Sequence, residues 1–212
     1  MKAVIFDLDG VLVFTDKFHY AAWKKLADRL GLPFDETVNE RLRGVSRMES
    51  LEIILSLGKA TYTEAEKEAM ATEKNEAYRQ MLTTMTPDDV ADQVRRLLAD
   101  LRAAGILVAV GSSSKNAPMI LQNVALADAF DAVADGNCIT HSKPHPEVFL
   151  KAAQMLGVDP GDCYVVEDAA AGITAAKAAG MKAIAIGSAT ECDNKDHAID
   201  NIYQVYPLVT DR

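Results

Sequence analysis

Two carboxylates, Asp7 and Asp9, stand one residue apart at the end of a short apolar run, Ala3-Val4-Ile5-Phe6, and are followed at once by Gly10. A continuous apolar run of this length reads as a strand covered on both faces, as a parallel α/β sheet requires. Ligands of such sheets gather at the carboxyl ends of the strands, so Asp7 falls where reacting groups are expected, and Gly10 lets the chain turn sharply away. Acids in that position suit nucleophilic attack, proton transfer or the binding of a hard cation. Taken alone the fragment is weak, because loop aspartates commonly satisfy backbone donors at turns. A calcium loop does not fit: the flank is a strand rather than a helix, and the glutamate required at the twelfth loop position is Phe18.

Weight comes from the polar residues that end the other apolar runs. Val110 leads into Gly111-Ser112-Ser113-Ser114-Lys115-Asn116, Val166 leads into Glu167-Asp168, and Lys143 stands in Ser142-Lys143-Pro144. Each group has a structural use of its own, the serines and Asn116 as helix caps and the acids as partners of a helix N-terminus. Together, carboxylates at two strand ends, hydroxyls at a third and one ammonium make a site for Mg²⁺ and a phosphoryl group. The metal takes carboxylate oxygens, and the hydroxyl and ammonium donors balance the remaining phosphate charge.

A frame for these groups follows from the alternation of elements. Strands are expected at residues 3–6, 107–110, 132–134, 163–166 and 183–186 with helices between them, the order of a doubly wound parallel sheet. Val90, Val94, Leu97, Leu98 and Leu101 repeat at helical spacing, with Gly105 placed for a left-handed cap, and Pro146 opens a helix running to Gly157. Residues 15–86 have a different texture without a convincing strand. Phe18, Ala22, Trp23, Leu26 and Leu30 form one helical stripe ending at Gly31, and residues 64–81 form a charged helix with a weaker apolar face. The expected architecture is an α/β, Rossmann-like doubly wound parallel sheet core of residues 1–14 and 87–212, with an inserted helical cap domain of residues 15–86. Residues 83–89, containing Pro87, are the return linker, and the tail after Ile186 carries no assignable element.

Composition narrows the function classes. The net charge of −9 leaves no basic face for nucleic acid or an acidic membrane, so any anionic ligand must be held by a few local cations. The 3 cysteines, Cys138, Cys163 and Cys192, are far apart and lack a CxxC, as expected of reduced thiols. No apolar stretch approaches membrane-spanning length, and the first apolar run is too short for a secretory signal. A cytoplasmic location is expected.

The order Asp7-x-Asp9, Ser112, Lys143, Glu167-Asp168 resembles the four-motif signature of the haloacid-dehalogenase-like phosphotransferases. Within that superfamily the chain is similar, over nearly its whole length, to the β-phosphoglucomutase family. The segment Leu42-Arg43-Gly44-Val45-Ser46-Arg47-Met48-Glu49-Ser50 is similar to that family's substrate-specificity loop, and Thr15 with His19 and Trp23, the pair Lys74-Asn75, and Ser114-Lys115-Asn116 match as well. Gly111 and Ser113 stand where alanines are expected, Phe14 replaces a usual aspartate, and the C-terminal part reads shorter.

The resemblance implies a role for each of these positions. Asp7 is the nucleophile that forms an aspartyl phosphate, and Asp9 is the acid and base that protonates the leaving sugar oxygen and later deprotonates the attacking hydroxyl. Asp7, Asp168 and the Asp9 backbone carbonyl hold Mg²⁺, with Glu167 binding directly or through water. Ser112 and Lys143 stabilise the transferring phosphoryl group. Arg47, beside Gly44, Val45 and Ser46, grips the sugar's other phosphate, where a planar fork suits a dianion. On the residues alone His19 and Trp23 read as packing and Lys74-Asn75 as a solvated helix face; the resemblance implies that His19 orders the Asp9 loop when the cap closes. His141, His145 and His197 show no partner pattern and read as structural.

The reaction implied is interconversion of β-D-glucose 1-phosphate and glucose 6-phosphate, with β-glucose 1,6-bisphosphate as intermediate and activator. The alternative with the same core is a sugar-phosphate phosphatase that uses water as acceptor. A phospho-acceptor receiver domain places its nucleophile after an internal strand and has no helical insertion, and a dinucleotide binder needs a GxGxxG that the first strand turn lacks. The expected partner is a small sugar phosphate bound by a monomer, without nucleic acid or membrane.

Overall fold

A computed structural model describes residues 1–42 and 45–210. Six parallel strands form its sheet: β1 (Ala3–Phe6), β2 (Leu107–Gly111), β3 (Ala132–Ala134), β4 (Cys163–Glu167), β5 (Lys182–Ile186) and β6 (His197–Ile199), in the order β3-β2-β1-β4-β5-β6. The strand order reverses between β1 and β4, the switch point at which doubly wound sheets bind ligands. The register sets Phe6 level with both Val110 and Val166. The chain therefore delivers Asp7, Gly111 and Glu167 side by side at one sheet edge.

Side-chain alternation builds a core on each face. Val4, Phe6, Val108, Val110 and Val166 point to one side and pack with α5 (Asp92–Ala103), α6 (Ala117–Asn123) and α9 (Val205–Thr210). Ala3, Ile5, Ala109 and Val165 point to the other, against α7 (Glu147–Leu156) and α8 (Ala170–Ala178). Small residues on that second face let the helices lie close. A Cβ added at Gly111 would stand 2.7 Å from the Phe149 ring, which gives this position its physical reason to lack one.

Among the described residues, those between β1 and β2 form no strand. They fold as α1 (Asp16–Leu30), α2 (Glu36–Glu40), α3 (Arg47–Leu55) and α4 (Glu64–Leu82). Trp23, Leu26, Phe34, Leu51, Ile54 and Met70 close a third core between these helices. α1 ends where its stripe does, with Gly31 left-handed at φ 68°. Capping boxes start the next two long helices: Ser46 with Glu49, and Thr63 with Glu66.

Two expectations need correction. The specificity segment is not a loop throughout, because the capping box starts α3 at Arg47, so Arg47 to Ser50 are helical. The tail is ordered: β6 adds to the sheet edge, and Ile199, Ile202, Val205 and Val209 are buried against the first core. Asp196 ties this segment in by accepting hydrogen bonds from the Ala183 amide at 2.7 Å and from Lys177 Nζ.

Candidate active site

Asp7 leaves β1 still hydrogen-bonded to its neighbour, its amide donating to the Val166 carbonyl at 2.9 Å. That bond fixes the Asp7 carboxylate beside the acids at the end of β4. Asp7, Glu167 and Asp168 each offer an oxygen within 4.8 Å of the others, and all three are buried or nearly so. Lys143 is 3% exposed and its ammonium donates to both Asp7 and Glu167, the latter at 2.5 Å. The pair of carboxylates holds Lys143 well above the usual ammonium range despite the opposing effect of burial.

Three carboxylates against one ammonium leave a surplus of two negative charges in a dry corner. Burial pushes the Asp7 carboxyl well above its ordinary range; Lys143 opposes this, and Glu167, Asp168 and Asp9 add to it. A divalent hard cation fits this donor set in charge and in ligand type. Asp7 is thus poorly solvated and only partly neutralised.

Two glycines make the close approach possible. Gly10 has φ 95°, and a Cβ there would fall 2.1 Å from an Asp168 carboxylate oxygen. At Gly172, in the first turn of α8, a Cβ would fall 1.9 Å from the Glu167 carboxyl carbon. Glu167 is held in that space by the Ala169 amide, which donates to it at 2.9 Å. Glycine to alanine inside a helix ordinarily stabilises by about 1 kcal/mol, whereas overpacking costs about 1–3 kcal/mol. Gly172→Ala is therefore expected to lower thermal stability and to weaken binding of a divalent cation at Asp7, Glu167 and Asp168, read by calorimetric titration with Mg²⁺. A higher melting temperature with unchanged cation binding would disprove the packing argument.

Asp9 has a different partner from the three acids. Thr15 Oγ1 donates to it, and burial, opposed chiefly by that bond, raises its carboxyl to about 6. Thr15 immediately precedes α1, whose next turn carries His19. The His19 ring packs tilted against Tyr78 with ring centres 4.1 Å apart, and its Nδ1 lies 3.0 Å from Lys74 Nζ. Lys74 is 4% exposed, over the Trp23 ring at 4.5 Å, so it is not on a solvated face. Burial, with the neighbouring Arg47 charge, lowers its ammonium to about 7, and burial, with the charges of Lys74 and then Arg47, holds the His19 imidazole well below its ordinary range.

One cavity of about 630 Å³ joins these groups. Asp7, Asp9, Ser112, Lys143, Glu167 and Asp168 line it from the sheet edge. His19, Trp23, Val45, Ser46, Arg47, Lys74 and Asn75 line it from the helical segment, and Ser114, Lys115 and Asn116 from the β2–α6 connection. Thr15 is fully buried behind Asp9, and Gly44 lies outside the described residues. Ser112 is buried, and its Oγ accepts from the Ser114 amide at 3.1 Å. Asn116 does not cap α6 with its side chain; it donates to Asn75 at 2.9 Å and accepts from Arg79, linking the sheet to α4.

Sequence reasoning passed over Tyr78, Arg79 and Asp16. Tyr78 is the ring under His19, Arg79 bonds Asn116, and Asp16 lines the cavity beside Asp9. A signal existed for the first two: Asn75, Tyr78 and Arg79 lie at helical spacing on the face that carries Lys74.

The family model for haloacid dehalogenase-like hydrolases matches residues 1–180. The β-phosphoglucomutase of Bacillus subtilis (strain 168) is 48% identical over 189 residues, which cover 88% of this chain and 84% of that protein. A fructose-1-phosphate phosphatase of Escherichia coli (strain K12) is 36% identical over 182 residues, covering 85% of this chain and 94% of that one. The crystal structure of a β-phosphoglucomutase from Clostridium difficile superposes with a TM-score of 0.91 at 40% identity, covering 97% of this chain and 93% of the other. With its strand order, its acids at the switch point and these matches, the chain belongs to the haloacid dehalogenase-like hydrolase family, within the β-phosphoglucomutase group.

Proposed function

We propose that the chain interconverts β-D-glucose 1-phosphate and glucose 6-phosphate through an aspartyl-phosphate enzyme and β-glucose 1,6-bisphosphate. The carrying observation is the shared cavity, which holds a nucleophilic carboxylate beside Lys143 at the sheet edge and a second cationic group, Arg47 with Lys74, on the helical segment. A mutase needs both, because its intermediate carries a phosphate at each end and must bind in either orientation. The similarity to two β-phosphoglucomutases supports the same reading.

Asp7 attacks the phosphorus, and the bond from phosphorus to the sugar oxygen breaks as Asp9 protonates that oxygen. In the reverse half-reaction Asp9 takes the proton from the sugar hydroxyl that attacks the phosphoaspartate. Lys143 and Ser112 stabilise the phosphoryl oxygens during transfer. Asp7, Glu167, Asp168 and the Asp9 carbonyl are the groups that would hold Mg²⁺, whose charge offsets repulsion between the carboxylate and the incoming phosphate. The chain from Asp9 through Thr15 to α1, with His19 against Lys74, ties the acid's position to the helical segment. In this reading residues 15–86 are the cap, residues 1–14 and 87–212 the core, and cap closure excludes water from the phosphoaspartate. The enzyme acts as a cytoplasmic monomer; among the described residues no helix is long and apolar enough to cross a membrane.

The test is product analysis with β-glucose 1-phosphate, Mg²⁺ and a trace of the bisphosphate. Glucose 6-phosphate without stoichiometric inorganic phosphate is expected, and release of inorganic phosphate alone would leave a phosphatase.

The two duties of Asp9 have opposite pH dependences. With its carboxyl at about 6, transfer from a sugar phosphate to Asp7, which needs the protonated acid, falls as pH rises through that region. Discharge of the phosphoenzyme to a sugar hydroxyl needs the ionised form and falls as pH drops through it. Single-turnover rates of the two half-reactions should cross; parallel profiles would remove Asp9 from one of the roles.

A further inference from the structure

The segment that carries Lys143 also carries, on its outer side, a group the reaction does not use. One nitrogen each of His141 and His145 and one oxygen of Glu147 lie within 4.8 Å of one another, and both imidazoles are exposed. From these ligands we infer that the surface of this loop is a Zn²⁺ site that, when filled, clamps the loop bearing Lys143.

Several contacts preorganise the three side chains. The Glu147 carboxylate accepts hydrogen bonds from the Thr140 amide at 3.0 Å and the His141 amide at 2.8 Å, and His141 Nδ1 stands 3.2 Å from it. The two imidazoles face each other with ring centres 4.6 Å apart. The Glu147 amide donates to His145 Nδ1 at 3.3 Å, which sets that ring against the start of the helix; a metal on either ring nitrogen would replace this contact. His145 sits between Pro144 and Pro146, whose rings restrict the backbone on either side.

The chemistry of the donors separates this site from the one at the sheet edge. Asp7, Glu167 and Asp168 offer only oxygens, the ligands of Mg²⁺, while two imidazoles and one carboxylate suit Zn²⁺ and leave a fourth position to water. Lys143 lies two residues from each histidine, so a metal bond across 141 and 145 spans the residue whose ammonium holds Asp7 and Glu167.

Calorimetric titration of the protein with ZnCl₂ in saturating Mg²⁺ tests the inference. One zinc per chain is expected, with His145→Ala and His141→Ala each weakening binding by at least about tenfold. The second variant keeps the His141 amide and the start of α7 intact, which guards against a folding artefact in the first. Zinc should slow amide hydrogen exchange in residues 140–147 of the unaltered protein and not in either variant. Absence of zinc binding, unchanged affinity in both variants, or slowing confined to segments outside this loop would overturn the site.

Discussion

Asp7→Asn is expected to lower mutase turnover by at least about four orders of magnitude, on the scale seen when a catalytic nucleophile is removed. The amide carries no charge and its oxygen is a poor nucleophile, so no aspartyl phosphate forms and both half-reactions stop. Stability should move the other way. The native environment raises the Asp7 carboxyl, so the folded state favours the protonated form and the ionised carboxylate costs stability once pH exceeds its unfolded value. Replacing it with a neutral group of the same shape relieves that cost, while Lys143 keeps Glu167 as a partner. Thermal unfolding of the metal-free variant near neutral pH should therefore occur at or above the temperature of the parent, with a smaller increase on adding Mg²⁺. Measurable phosphoenzyme in the variant would refute the nucleophile, and a large drop in melting temperature would make Asp7 a structural acid instead.

Much of this site could be read from the chain because its parts follow strands. A buried strand leaves a strong local mark, four or five apolar residues ended by a polar group, and in a parallel sheet each such end falls on the same edge. That logic reached Asp7, Ser112 and Glu167 without knowledge of the strand order. Lys143 was harder, since it lies on a loop far from any strand end, and its placement depends on tertiary contacts with Asp7 and Glu167. The helical segment hid its function for another reason. Lys74 lies in a helix rich in charge, and only packing of α4 against α1 buries it over Trp23. The Ser46-x-x-Glu49 box marked a helix start plainly, yet the family likeness of the surrounding residues favoured a loop. The tail failed for want of length: β6 is a three-residue edge strand whose pairing is fixed by neighbours rather than by its own pattern.

Arg47→Ala is expected to reduce kcat/KM for the mutase cycle by about 2–4 kcal/mol in transition-state binding, roughly 30- to 900-fold. Arg47 is the first residue of α3, with the capping Ser46 before it, and both residues line the cavity. Burial lowers its ionisation range, but a guanidinium starts from so high a value that it keeps its charge in proteins. A dianion brought there gains charge-assisted hydrogen bonds that water would otherwise screen. If this is the grip on the non-transferring phosphate, its binding energy favours closure of the helical segment, and losing it should slow bisphosphate turnover far more than hydrolysis of a compound with a single phosphate. Arg47→Lys should fall between the two, because it keeps the charge and loses the fork. Lys74 alone cannot substitute: with its ammonium lowered to about 7, it supplies a full charge only on the acid side of that value. Equal losses for mutase turnover and for monophosphate hydrolysis would show that Arg47 acts on the transferring group, and the choice of acceptor would then rest on water exclusion alone.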